Sequence, residues 1–116
     1  MKLSTTDEER KVVEFYDEET HLLKLVEELD ELKRATNLYL IARTMKGEAC
    51  KESATAGFIE EFVDVVAVLC HVYEKTIRPD SELTELCNRF EKYKLARQLV
   101  RMSLKDESFG STKQKG

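Results

Sequence analysis

A shortage of chain-breaking residues is the strongest constraint on how this sequence can fold. Its 116 residues include one proline, Pro79, and only four glycines. A sheet of many short strands needs frequent turns, and turns are usually built from these residues. The sequence therefore predicts long α-helices. Its length predicts a single domain, residues 1–104, followed by a disordered tail at 105–116 that carries little apolar content.

Capping signals divide the chain into four predicted helices. Thr6 begins a capping box, and the single proline separates the last two helices. The polar segment 46–53, which contains a glycine, is predicted to be a loop. The predicted helices run from Thr6 to about Tyr16, from Asp17–Thr20 to about Met45, from about Ala54 to Ile77, and from Asp80 or Ser81 to about Leu104. We therefore expect an all-α, antiparallel bundle of about four helices.

The third predicted helix is apolar almost all round. One stripe consists of Phe58, Phe62, Val65, Val66, Leu69, Val72 and Tyr73. A helix of this kind is expected to be buried on several sides. Three or four short helices from one chain cannot enclose it. The sequence therefore predicts that a homodimer or homotetramer completes the bundle.

Two acidic pairs lie inside apolar helical segments. Glu28 and Glu31 flank a stripe of leucines at positions 22, 25, 29 and 32, and Glu61 and Asp64 flank the apolar stripe of the third helix. Residues three apart share one helix face, so antiparallel packing is expected to gather all four carboxylates in one groove. Acidic pairs at this spacing are usually solvated, but these two are embedded in apolar sequence. Crowded carboxylates need a compensating cation, and Mg²⁺ prefers such oxygen ligands.

The fourth predicted helix changes from apolar to basic along one face. Its stripe begins with Leu83, Leu86 and Phe90 and continues as Lys94, Arg97 and Arg101. Arginine and lysine suit phosphate oxygens, although cations also favour the C-terminal end of a helix. We take these three cations as candidate phosphate-binding residues. Four further residues are expected to be core or solvated side chains rather than substrate contacts: His21, His71, Tyr39 and Tyr73.

Charge and composition exclude several classes of protein. The net charge of −4 argues against binding of a nucleic-acid polymer. The sequence has no apolar run of about 18 residues, so no membrane association is expected. The first residues lack the apolar stretch of a secretory signal, and the three cysteines form no Cys-x-x-Cys motif. We therefore expect a cytoplasmic protein with reduced thiols.

The two acidic pairs also carry a resemblance to a known family. The segments Leu22–Leu32 and Glu60–Val66 resemble the MazG-like all-α NTP pyrophosphatase superfamily, which has Glu-x-x-Glu on one helix and Glu-x-x-Asp on a later one. The resemblance covers roughly residues 20–100. It implies a helical oligomer that binds Mg²⁺ through Glu28, Glu31, Glu61 and Asp64. It further implies hydrolysis of a nucleoside triphosphate to the monophosphate and pyrophosphate, in house-cleaning or nucleotide-pool control.

Two alternative functions stay open at this point. Amphipathic helices with acidic faces are common, so the chain could be a non-catalytic helical dimerisation or regulatory module. A phosphoribosyl-ATP pyrophosphohydrolase would share the architecture and differ in substrate. No motif in the sequence reports the base or the sugar of a nucleotide.

Overall fold

Helices make up nearly all of the chain that the structure describes. The structure is a computed structural model, and it describes residues 5–45 and 47–114, with side chains as far as Asp106. Within these ranges there is no β-strand. The elements are α1 (Asp7–Phe15), α2 (Glu18–Ala42), α3 (Glu48–Val72), a π-helical turn (Tyr73–Ile77) and α4 (Ser81–Gln114). The predicted all-α class is confirmed.

The first two helices begin at the predicted caps. The Thr6 hydroxyl accepts a hydrogen bond from the Glu9 amide at 3.2 Å, and the Asp17 carboxylate accepts one from the Thr20 amide at 2.8 Å. These bonds satisfy amides that have no partner inside the first helical turn. Both helix starts could therefore be read from local sequence.

The connection between α2 and α3 is shorter than predicted. Because α2 ends at Ala42 and α3 begins at Glu48, most of the predicted loop 46–53 is helical. Glu48 favours a helix start because its charge complements the helix dipole, and Lys51 lies 3.7 Å from its carboxylate. The polar residues here form a solvated helical face. Lys46 lies outside the described residues.

The chain divides into two compact units, Lys2–Pro79 and Asp80–Gly116. In the first unit α2 and α3 form an antiparallel hairpin. The Tyr39 ring near the end of α2 stacks on Phe58 near the start of α3, with ring centroids 4.9 Å apart. At the other end of the hairpin the His21 and His71 rings are 5.8 Å apart.

The seam between α2 and α3 uses positions spaced alternately three and four residues apart, the spacing of knobs-into-holes packing. All of these positions are buried or half-buried. On α2 they are His21, Leu25, Glu28, Leu32, Ala35, Tyr39 and Ala42, and on α3 they are Ala54, Phe58, Glu61, Val65, Val68 and Val72. The predicted leucine stripe is therefore wrong for Leu22 and Leu29, which are 39% and 46% exposed. Because α2 carries leucines on more than one face, periodicity did not single out the face that α3 covers.

One side of α3 carries apolar side chains that are about half exposed. Ile59, Phe62 and Val63 are each about half exposed, whereas Val65 and Val68 are buried in the seam. The expected burial of α3 on several sides is therefore not achieved by the described residues of one chain. Large exposed apolar side chains gathered on one helix face are typical of a surface that another element covers.

The second unit contains α4. The Asp80 carboxylate caps it by accepting hydrogen bonds from the amides of Glu82 and Leu83, at 3.0 and 3.2 Å. The helix continues to Gln114, ten residues beyond the predicted end at Leu104, so the backbone of the predicted tail is helical over 105–114. The last two residues lie outside the described range. None of the described helices combines the length and apolar character that crossing a membrane requires.

Candidate metal centre

Two of the predicted site residues lie in the seam of the hairpin. Glu28 occupies a seam position on α2, and only 6% of its side chain is exposed. Glu61 occupies a seam position on α3 and is half-buried. An apolar residue at either position would pack without the free-energy cost of desolvating a charge. The sequence prediction placed both residues beside the core, whereas the structure places them within it.

A third carboxylate completes a cluster at this point. One oxygen each from Glu28, Glu31 and Glu61 lies within 4.8 Å of the other two. Glu31 is exposed and lies one turn along α2 from Glu28. Asp64, the fourth predicted residue, is exposed and lies outside this triad. The structure therefore brings together three of the four predicted carboxylates and leaves the fourth nearby on the solvent side.

The crowding of these groups changes the protonation of Glu61. Burial raises the pKa of its carboxyl group, and a hydrogen bond to Glu31 raises it further because the protonated form donates. The negative charges of Glu31, Asp64 and Glu28 act in the same direction. The cluster therefore favours taking up a positive charge, either as a proton or as a cation.

One lysine partly neutralises the cluster. Lys24 Nζ lies 3.0 Å from Glu28 Oε1 and 3.7 Å from a carboxylate oxygen of Glu27. The hydrogen bond to Glu28 raises the pKa of Lys24, so its ammonium group stays charged at neutral pH. Lys24 was not among the predicted site residues, although its spacing of four residues from Glu28 is a recognisable helix ion-pair signal.

Two buried carboxylate oxygens of the cluster, which Lys24 does not contact, are chemically suited to a hard divalent cation. Glu28 Oε2 and Glu61 Oε2 are buried, and neither accepts a hydrogen bond from the part of the chain that the structure describes. Buried polar atoms are nearly always satisfied, so these two oxygens are suited to a ligand. The cluster offers carboxylate oxygens and neither thiol nor imidazole, which matches Mg²⁺ better than zinc.

The three candidate phosphate-binding residues lie on α4. Lys94, Arg97 and Arg101 are exposed and share one face of that helix. The Arg97 guanidinium carbon lies 5.7 Å from the centroid of the Tyr93 ring, within the range of a cation–π contact. These cations belong to the second compact unit, whereas the carboxylates belong to the first.

The two histidines pack against each other in the first unit, at the end of the hairpin where α2 begins and α3 ends. His21 is buried, and its Nε2 lies 3.1 Å from the Val13 carbonyl oxygen, which ties α1 to α2. Burial lowers the pKa of His71, and the neighbouring His21 lowers it further. Tyr39 is half-buried in the seam, where it stacks on Phe58. All three side chains have packing contacts in the structure.

No family model, curated protein or solved structure matches this chain. The resemblance to MazG-like pyrophosphatases therefore rests on the motif residues themselves. A second line of support for a metal centre comes from how those residues are arranged in the structure.

Proposed function

We propose that this protein is a Mg²⁺-dependent nucleoside triphosphate pyrophosphohydrolase of the MazG-like type. It would convert an NTP or dNTP to the monophosphate and pyrophosphate. The observation that carries the proposal is the meeting of Glu28, Glu31 and Glu61 from two antiparallel helices, with one oxygen of each within 4.8 Å of the others.

The position of the cluster strengthens the argument beyond the acidic spacing. Glu28 and Glu61 take seam positions that a purely structural hairpin would fill with apolar residues. Removing carboxylates from water costs free energy unless a cation or hydrogen bonds compensate them. Lys24 contacts one oxygen of Glu28, whereas Glu28 Oε2 and Glu61 Oε2 accept no hydrogen bond from the described residues. A bound cation accounts for this arrangement.

The carboxylates of the site would have different roles in the reaction. Glu28, Glu31 and Glu61 would supply metal ligands and, by their fixed places on two packed helices, hold the phosphates in one orientation. When bound, Mg²⁺ would neutralise the charge that develops on the phosphate oxygens. Asp64, the fourth carboxylate of the predicted metal-binding set, is exposed beside the triad. One of these four carboxylates would accept a proton from the attacking water. By analogy with the family, the attack is on the α-phosphorus.

The role of the cations on α4 stays a prediction from the sequence. Lys94, Arg97 or Arg101 would contact the outer phosphates. Their exposure is compatible with this role.

We also propose that the active protein is a homodimer or homotetramer. Ile59, Phe62 and Val63 are each about half exposed on α3. A second copy that covered this face would bury apolar surface at a gain of about 25 cal/mol per Å². The covered face would lie on the helix that carries Glu61.

Pyrophosphate release tests the function directly. Purified protein would be incubated with mixed nucleoside triphosphates and Mg²⁺, with Glu61→Gln and Asp64→Asn as test variants and Glu60→Gln as the matched control. Glu60 is an exposed neighbour outside the triad. We expect the parent and the control to release pyrophosphate and both test variants to lose at least about 100-fold in rate, which is about 2.7 kcal/mol in activation free energy. Circular dichroism would show that the helices are intact.

The same assay separates the alternatives. A non-catalytic helical module releases pyrophosphate from no nucleotide, and a phosphoribosyl-ATP pyrophosphohydrolase acts on that substrate and leaves ordinary triphosphates intact. Equal turnover by the parent and the Glu61→Gln variant would remove the carboxylate triad from the mechanism.

A further inference from the structure

A second heptad seam runs along α4 and is open to solvent. Its positions are spaced alternately three and four residues apart over three heptad repeats, as in a coiled coil. The apolar members are between 38% and 62% exposed. The seam consists of Leu83, Leu86, Phe90, Tyr93, Arg97, Val100 and Leu104. We call this set the α4 seam.

The surface of α4 already has the shape that a coiled-coil partner requires. One hollow is lined by Leu86, Arg89, Phe90, Lys92 and Tyr93. A second hollow, one heptad further on, is lined by Tyr93, Ala96, Arg97, Val100 and Arg101. Four residues with these spacings form the hole that receives a knob from a facing helix. The repeat of the hollow after seven residues indicates a helix as the occupant.

The distribution of charge along α4 determines whether a partner helix packs parallel or antiparallel to it. Residues 80–91 contain four acidic side chains and one basic one, whereas residues 92–106 contain five basic side chains and one acidic one. A second α4 in the parallel direction would place Arg97 against Arg97 in the seam. In the antiparallel direction the acidic half of each helix meets the basic half of the other.

We propose that α4 pairs antiparallel with α4 of a second copy of this chain. In the register that the charges favour, Phe90 lies opposite the partner's Tyr93 and Leu83 lies opposite the partner's Val100. The partner's Leu86 enters the hollow beside Arg97. Because the same contacts recur on both chains, the interface closes as a two-fold dimer.

Arg97 is the polar member of the seam and is expected to fix its register. Its aliphatic stem packs beside the partner's Leu86, and its guanidinium group reaches the partner's Glu82 one turn away. A single polar residue in a seam commonly selects orientation in this way, at some cost in affinity. This use of Arg97 differs from a phosphate contact, and the α4 interface does not depend on the proposed hydrolase activity.

A charge-swap experiment on the full chain tests the pairing. Sedimentation equilibrium would give the mass of the parent and of the variants Arg97→Glu, Glu82→Lys, the double variant and Lys105→Glu. Each single variant opposes like charges across the seam, so we expect association to weaken at least about tenfold. The double variant restores opposite charges and is expected to regain the parent mass. Lys105→Glu makes the same change in charge off the seam and should keep the parent mass.

At protein concentrations near the dissociation constant of the parent, the average mass of the single variants should fall toward half, whether a tetramer becomes a dimer or a dimer becomes a monomer. A monomeric parent, an unchanged mass in Arg97→Glu, or a double variant that stays dissociated would overturn the pairing. Pyrophosphate release measured on the same samples separates this interface from the catalytic proposal. Lost hydrolysis with a retained mass in Arg97→Glu would assign Arg97 to phosphate and would contradict its place in the α4 seam.

Discussion

Removing the Lys24 ammonium should destabilise the metal-free protein, and the distance to Glu28 gives the size of the effect. Two unit charges 3.0 Å apart attract by about 5.5 kcal/mol at an effective dielectric of 20 and by about 1.4 kcal/mol at that of water. The Lys24 side chain is 51% exposed, so solvent screening brings the contribution close to the lower figure. We therefore expect Lys24→Met to lower the free energy of unfolding by about 1–2 kcal/mol.

The same variant reports on the metal. Without the ammonium group, Glu28 has lost the cation that contacts it, and a bound Mg²⁺ would compensate the carboxylates instead. Ligand binding at 100 times its dissociation constant stabilises a folded protein by about 2.7 kcal/mol. The stabilisation by Mg²⁺ should be larger in Lys24→Met than in the parent, because no ammonium group competes for the Glu28 carboxylate.

Urea unfolding at fixed protein concentration, with EDTA or with Mg²⁺, measures both effects. Lys24→Arg retains the charge and is expected to keep most of the parent stability. A Lys24→Met protein as stable as the parent in EDTA would show that the Glu28 carboxylate does not need this cation. If Mg²⁺ leaves the urea midpoint unchanged in both proteins, the metal centre is refuted.

Three further predictions concern protonation and thiol reactivity. Because the pKa of Glu61 is raised, the metal-free folded state holds this proton to higher pH than the unfolded chain. Its contribution to stability should therefore grow as the pH falls toward 4.5, the ordinary pKa of a glutamate, and should vanish in Glu61→Gln. The lowered pKa of His71 acts in the opposite direction, so its own contribution to stability should fall below pH 6.5. Urea melts of His71→Phe should therefore retain more stability below pH 6.5 than those of the parent. Burial raises the pKa of Cys70, so a thiol reagent should modify exposed Cys50 much faster, and equal rates would contradict the described packing.

Local sequence determined the helical class and the starts of several helices. Thr6, Asp17 and Asp80 accept hydrogen bonds from amides of the first turn, as their residue types and positions predict. The shortage of proline and glycine correctly predicts long helices. These features could be predicted because a cap or a chain break acts within about four residues of itself.

The sequence predicted that the two acidic pairs would meet, but it did not predict how deeply each carboxylate is buried. Antiparallel packing of two helices with matched motifs brings Glu28, Glu31 and Glu61 together. Their exact depth was not predictable, since leucines occur on more than one face of α2. Glu28 entered the seam, whereas Asp64 stayed outside the triad.

The sequence by itself therefore determined which residues favour a helix and which carboxylates can share a face. Only the tertiary structure decided which face α3 covers, and so which carboxylates lose contact with water. The physical reason is that helix geometry depends on bonds between near neighbours in sequence. Burial depends on side chains distant in sequence, such as Phe58 for Tyr39 and Glu61 for Glu28, which the pattern along one helix does not specify.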